Sequence, residues 1–341
     1  MHIAHLLPVA GRILVCGPNW LGDSVISMPA LQSLRRRCPS CRITMLVKPK
    51  LESLWRMHSA VDEVIEIQAG LGGTLRTAMA VRSRMFEGAL VFLNSFRSAL
   101  IPYLARVPVR AGTVGHARVW MLTNVIRASA KPDRQHQLWE CFDVAGVADD
   151  AGEPESPRLS VPEAALTKAR ERLRAAGGGR WIGFIPGAAR GPSKQWPAEH
   201  FIEAGKKLAA TRQCRVLVLG TPSEVALCRQ VGDGIGSAAL SAAGDTSITE
   251  FAALLSQCGV VVANDSGGMH LATAVGPRVV AVYGLTDPVK TGPIGPGHRV
   301  ISCEGVAHSR DIDRNSRRAK EALRSIPAER VYQAVVELLT V

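Results

Sequence analysis

Short apolar runs alternate with longer stretches of mixed polarity along most of this 341-residue chain. In the first half, 12–16 (RILVC), 42–47, 64–67, 89–93 (ALVFL) and 109–111 read as strands. A loop at 17–23 leads into a helix ending near Arg37, and 78–86 and 98–105 have helical spacing. A second series begins with a charged helix at 163–175, which Gly177, Gly178 and Gly179 end. Its strands are 181–185, 215–219, 260–263 and 278–283, with helices near 198–210 and 248–256 between them. An amphipathic helix is expected at 328–339.

This alternation predicts an α/β fold with doubly wound parallel sheets. The stretch 149–162 (DDAGEPESPRLSVP) is acidic and rich in proline, which marks an interdomain connection. The expected organisation is two Rossmann-like domains, 1–160 and 161–325, followed by a terminal helix at 326–341. In such sheets ligands bind outside the carboxyl ends of the strands, so the residues there matter most.

Four strand ends carry candidate chemistry. After the first strand comes Gly17-Pro18-Asn19-Trp20-Leu21-Gly22-Asp23, whose Asp23 either caps the helix or presents a carboxylate at the strand end. Pro29 leaves two local readings open: a kinked helix, or a regular helix starting near Met28 with Asp23 in an irregular turn. The loop 186–197 (PGAARGPSKQWP) combines glycines with Ala189, Arg190 and Lys194; it suits a diphosphate or is simply a solvated basic loop. Trp196-Pro197 reads as the anchor of the next helix. Glu224, in GTPSE, is placed to accept ribose hydroxyls or to serve as a helix-start carboxylate. Finally, a β-branched strand runs into Asn264-Asp265-Ser266-Gly267-Gly268-Met269-His270. A glycine-rich turn opening a helix directs free N–H groups and the helix dipole at one anion. His270 either reaches that ligand or supports the turn.

Composition narrows the classes. Hydrophobic content of 47% with 21% charged residues belongs to a globular chain, not a disordered one. The net charge of +12 calls for an anionic partner. With only seven Phe and three Tyr, and no zinc-finger or RNP pattern, nucleic acid is not the expected one. There is no GxGxxG fingerprint, no GxSxG elbow and no Tyr-x-x-x-Lys pair, which argues against a dinucleotide oxidoreductase, a serine hydrolase and an epimerase. Cys38 and Cys41 form a CxxC without a second pair, and Cys16 and Cys258 are expected to be buried thiols. LLPVA is too short for a signal core and no apolar run reaches spanning length, so a cytoplasmic protein is expected.

Taken together, NWLGDSVISMPAL, PGAARGPSKQWP, GDTSITEFAALL and NDSGGMHLATAVGPRVVAVYG resemble the motifs of the ADP-heptose:lipopolysaccharide heptosyltransferases, glycosyltransferase family 9, on the side of heptosyltransferase II. The resemblance implies a GT-B fold, two Rossmann-like domains facing a cleft. It implies inverting transfer of heptose from ADP-L-glycero-D-manno-heptose to a lipid A core bearing Kdo or heptose. Asp23 is then the general base and Lys194 neutralises the departing diphosphate. Asn19, Trp20 and Gly22 lie on the acceptor side. Ala189, Arg190, Glu224 (ribose), Thr246 (adenine), Asp265, Ser266, Gly267, Gly268 and His270 form the donor side. No cofactor or metal is implied. The acceptor implies peripheral contact with the anionic inner face of the inner membrane, for which Arg35, Arg36, Arg37, Lys48 and Lys50 are candidate contacts. The alternatives are a GT-B enzyme using another nucleotide sugar, or a non-catalytic binder of one.

Overall fold

A computed structural model describes residues 11–127, 131–149, 152–303, 308–309 and 312–340. The LLPVA run, positions 150–151 of the connection and positions 310–311 lie outside the described residues. The chain divides into two compact units, Met1–Leu159 and Ser160–Val341.

In the first unit the elements are β1 (Arg12–Cys16), α1 (Leu21–Arg37), β2 (Arg42–Val47), α2 (Glu52–Arg56), β3 (Glu63–Glu66), α3 (Gly70–Arg82), β4 (Gly88–Val91), α4 (Phe96–Leu104), β5 (Val109–Thr113), β6 (Asn124–Ile126) and α5 (Leu138–Ala145). The strands form one parallel sheet in the order β3-β2-β1-β4-β5-β6. The order reverses between β1 and β4, and this is the point where a doubly wound sheet opens its binding crevice. Buried Leu14, Leu46, Val91, Val81 and Ile101 knit strands to helices in a single core.

The second unit repeats the plan with α6 (Glu163–Ala175), β7 (Arg180–Ile185), α7 (Ala198–Arg212), β8 (Cys214–Val218), α8 (Val225–Ile235), β9 (Ala239–Ser241), α9 (Ile248–Leu255), β10 (Cys258–Asn264), α10 (Gly267–Val275), β11 (Arg278–Tyr283), α11 (Pro288–Thr291), β12 (Arg299–Ser302), α12 (Arg317–Arg324) and α13 (Ala328–Thr340). Its parallel sheet runs β12-β11-β10-β7-β8-β9, so the reversal falls between β7 and β10. The terminal helix belongs to this core: Val331, Val335 and Leu338 are buried with Val260, Val262, Val280 and Phe201. Each such side chain contributes about 1.5–3 kcal/mol on burial.

Several expectations need correction. The helix expected at 78–86 starts at Gly70. Three glycines in its first turn mask the start, because glycine is a poor helix former. Gly73 has a packing reason, since a Cβ there would sit 2.7 Å from the Gln68 carbonyl. Strands β6, β9 and β12 were not legible; each is short, partly exposed and lies toward the rim of its sheet. α5 and α8 went unread as well. Helix α1 runs unbroken through Pro29, with an extended Trp20 at its N-cap. Asp23 therefore lies in the first helical turn and is not the cap. Cys38 and Cys41 are both buried and are joined by a disulfide between the end of α1 and the start of β2, with Cα atoms 5.4 Å apart. Cys16 and Cys258 are buried free thiols, and burial pushes each up to about 12.

Candidate active site

In the second unit the loops after β7, β8 and β10 meet at the carboxyl end of the sheet. Asn264, the last residue of β10, is fully buried and ties two of them together. Its amide nitrogen donates to the Pro186 carbonyl at 2.7 Å, and its amide oxygen accepts the Trp196 N–H at 2.9 Å. One side chain thus pins both ends of the 186–196 loop. Trp196 is buried against Phe201, and its indole N–H donates to the Ile326 carbonyl at 2.9 Å, the anchoring role expected of it.

Within that loop Lys194 closes a short turn and forms an ion pair with Asp265. Both partners are largely shielded from water, so removing either one leaves the other charge poorly solvated and uncompensated. Asp265 also adjoins Tyr283 at the end of β11. Burial holds the Tyr283 phenol well above its ordinary pKa, and the Asp265 carboxylate pushes the same way. The neutral hydroxyl donates to the Thr291 carbonyl at 2.6 Å.

Ser266 is the extended N-cap of α10, yet its hydroxyl makes no capping bond. Its Oγ is buried and has no hydrogen-bond partner among the described residues. Gly267 and Gly268 begin the helix, where N–H groups have no intrahelical acceptor. A Cβ on Gly268 would meet Ile185 at 3.0 Å, so glycine lets the helix start close against β7. His270 is buried one turn further in. A cation, a hydroxyl without a partner and a helix N-terminus therefore stand together where the strand order reverses.

Glu224 shows the helix-start geometry weighed for it. One carboxylate oxygen accepts from the backbone N–H and hydroxyl of Thr221, both at 2.8 Å, in a capping box. The other lies against Gly187, where a Cβ would come within 2.1 Å of it. Thr246 is half-buried and precedes Ser247, the cap of α9. Its loop is joined to that of Glu224 by the Gly244 N–H, which donates to the Gly220 carbonyl at 3.0 Å. Ala189 and Arg190 are exposed at the loop tip.

In the first unit, Asn19, Trp20, Gly22 and Asp23 surround the start of α1 after β1. Gly17 packs closely, since a Cβ there would lie 2.7 Å from the Met45 terminal methyl and 3.0 Å from Val47 and would have to displace both side chains. Trp20 is exposed, with the Lys50 ammonium 4.9 Å from its ring centre. Asn19, Gly22 and Asp23 are half-buried. Arg118 is a residue the sequence did not flag. Its fully buried guanidinium donates to the Thr113 carbonyl at 3.0 and 2.7 Å, to the Ser98 hydroxyl at 3.2 Å and to the Leu93 carbonyl, bracing the loops after β4 and β5. The candidate membrane contacts fare differently. Arg35 pairs with Asp62 and donates to the carbonyls of Cys41 and Ala60, and Arg36 pairs with Glu155. Those two charges are engaged inside the unit.

These features set anion-binding elements at the switch point of a doubly wound sheet. The model of glycosyltransferase family 9 (heptosyltransferase) matches residues 74–321. The chain is 30% identical to lipopolysaccharide heptosyltransferase 2 of Escherichia coli K12, over 85% of this chain and 87% of that one. It is 31% identical to lipooligosaccharide heptosyltransferase 2 of Haemophilus influenzae, over 85% and 88%. The solved structure of E. coli ADP-heptose LPS heptosyltransferase II superposes with a TM-score of 0.83 at 27% identity, covering 96% of this chain and 98% of that one. The chain belongs to glycosyltransferase family 9, the heptosyltransferases, and has their GT-B class of α/β fold.

Proposed function

We propose that this enzyme transfers heptose from ADP-L-glycero-D-manno-heptose to the inner core of lipopolysaccharide, with inversion at the anomeric carbon. The observation that carries the reading is the Lys194–Asp265 pair beside the buried, unpartnered Ser266 hydroxyl at the start of α10. The names of the relatives, which specify lipopolysaccharide and ADP-heptose, agree with it.

In the reaction an acceptor hydroxyl oxygen bonds to the anomeric carbon as the bond from that carbon to the β-phosphate oxygen breaks. The hydroxyl proton goes to the Asp23 carboxylate, acting as general base. The electron pair leaves with ADP, so negative charge grows on the diphosphate. Lys194, the Ser266 hydroxyl and the N–H groups of Gly267 and Gly268 are the groups for that charge. Asp265, once Lys194 turns to phosphate, is free to accept a heptose hydroxyl, with His270 behind it. Glu224 serves the ribose through the carboxylate oxygen its capping box leaves over, and Thr246 the adenine. Arg190 and the Ala189 backbone close over the phosphates. Asn19, Trp20 and Gly22 meet the acceptor. The reading calls for no metal or cofactor, and it locates the enzyme in the cytoplasm.

Calorimetric titration with ADP, UDP and GDP tests the donor. Selective ADP binding, followed by transfer from ADP-heptose to a heptose-bearing core acceptor, is the expected result. Equal binding of the three nucleotides rejects the donor assignment.

A further inference from the structure

Two surface properties coincide in one part of the first unit. Residues 67–132 contain nine Arg and Lys residues, eight of them outside the core because Arg118 is buried, and a single acid, Glu87. Even that carboxylate is occupied, accepting the Gly11 N–H at 2.7 Å. The same stretch holds ten of the thirteen exposed large hydrophobic side chains found among the described residues. A soluble surface normally scatters such side chains; a cluster rimmed by charge marks an interaction site.

The cluster has a definite construction. Helix α3 is apolar on two sides. Ala78 and Val81 face the core, while Leu71, Leu75 and Met79, spaced four apart and 87%, 54% and 64% exposed, line its outer face. Arg76 and Arg82 flank that stripe. The Arg97 guanidinium ties α3 to the start of α4, donating to the Thr74 hydroxyl at 3.0 Å. Beyond it stands an exposed aromatic group: the Trp120 ring lies 6.2 Å from Phe96 and 5.0 Å from Tyr103, centre to centre. Arg106 is exposed just past α4.

From this we infer that the outer face of α3 and α4 is a docking surface for an anionic phospholipid bilayer. An apolar stripe enters the acyl boundary, Trp and Tyr favour the interface, and arginines meet the headgroups. Charge selects this occupant. A second copy of the chain would bring two basic faces together, whereas an anionic bilayer complements both the charge and the apolar stripe. The surface keeps the enzyme beside a membrane-borne acceptor; its purpose rests on the function proposed above, but its evidence does not.

The test is sedimentation of the full chain with vesicles of phosphatidylcholine alone, or of phosphatidylcholine mixed with phosphatidylglycerol. The wild type should bind only the mixed vesicles, and rising salt should release it, since exposed charges are screened beyond about 8 Å at physiological ionic strength. Leu71→Ser with Leu75→Ser and Met79→Ser should lower partition about tenfold or more, as buried CH2 groups contribute about 0.8 kcal/mol each. Arg76→Gln with Arg82→Gln should also weaken binding, while Val289→Ser with Val300→Ser, exposed in the second unit, should leave it unchanged. Circular dichroism and ADP titration of the triple variant check folding and separate this inference from the donor assignment. Wild type that ignores mixed vesicles or binds neutral ones equally well overturns it. So does a triple variant with wild-type partition, or one altered only in self-association by light scattering, which would assign the face to contacts between copies.

Discussion

Lys194 and Asp265 form a shielded ion pair across the carboxyl ends of β7 and β10, so the cation proposed for the diphosphate already has a carboxylate partner. A ligand phosphate must displace the carboxylate or share the ammonium with it. The two partners should therefore respond to mutation in opposite directions. Lys194→Ala removes a charged hydrogen bond worth about 1.5–3 kcal/mol, so ADP binding should weaken by roughly ten- to a hundredfold, with slower transfer. Asp265→Asn removes the competitor, and ADP should bind as tightly as before or more so. Titration of both variants decides the matter; a parallel loss in both would mean that the pair only supports the loop.

Asp23 lies in the first turn of α1, in the unit that does not carry the loops proposed for the nucleotide. If it takes the acceptor proton, Asp23→Ala should lower kcat by about 10²–10⁴ and leave ADP affinity within twofold. The useful comparison is Asp23→Asn, which keeps the shape and removes the basicity. Recovery of activity in the asparagine variant would show that Asp23 only shapes the turn.

Asn264 is a structural keystone of the loop after β7. Asn264→Ala leaves the Trp196 N–H and the Pro186 carbonyl buried without partners, at about 1–3 kcal/mol each. Asn264→Asp keeps the acceptor but sets a carboxylate against the Pro186 carbonyl, so it should be no better tolerated. Denaturant unfolding should show both losses, accompanied by weaker ADP binding because the Lys194 loop is released. An alanine variant of wild-type stability would mean that water replaces the amide without cost.

The α/β architecture was readable because parallel strands buried on both faces appear as continuous apolar runs such as VVVA and RVVAVY. The limits of the 163–175 helix were readable because three glycines follow it. Short strands toward the sheet rims, such as Asn124–Ile126, lack that burial and left no run to read. At the site, the glycine turn and Lys194 announced themselves by composition. Asn264 did not, because an asparagine after a strand looks like turn material until its amide is seen to link two loops 78 residues apart. Arg118 was illegible for the same reason: an isolated arginine in a loop gives no sign that carbonyls from two strand ends converge on it.

His58 offers a pH-dependent test of the first unit. Burial pushes its imidazole down to about 4 from an ordinary 6.5. The ring is neutral, with Nδ1 accepting the Ala60 N–H at 3.3 Å and Trp55 edge-on at 5.8 Å between centres. The unfolded chain takes up a proton below about 6.5, whereas the folded one resists until about 4. The unfolded state therefore binds more protons in that window, and stability must fall as pH falls through it. Above pH 6.5 both states are neutral and the contribution is constant; below pH 4 both are protonated and the loss levels off. The loss is on the order of 3 kcal/mol, from about 1.4 kcal/mol per pH unit. Unfolding of wild type and His58→Gln should thus converge as the pH is lowered from 7 to 4, since glutamine does not titrate. Parallel curves for the two proteins would show that His58 gains its proton without cost in the folded state.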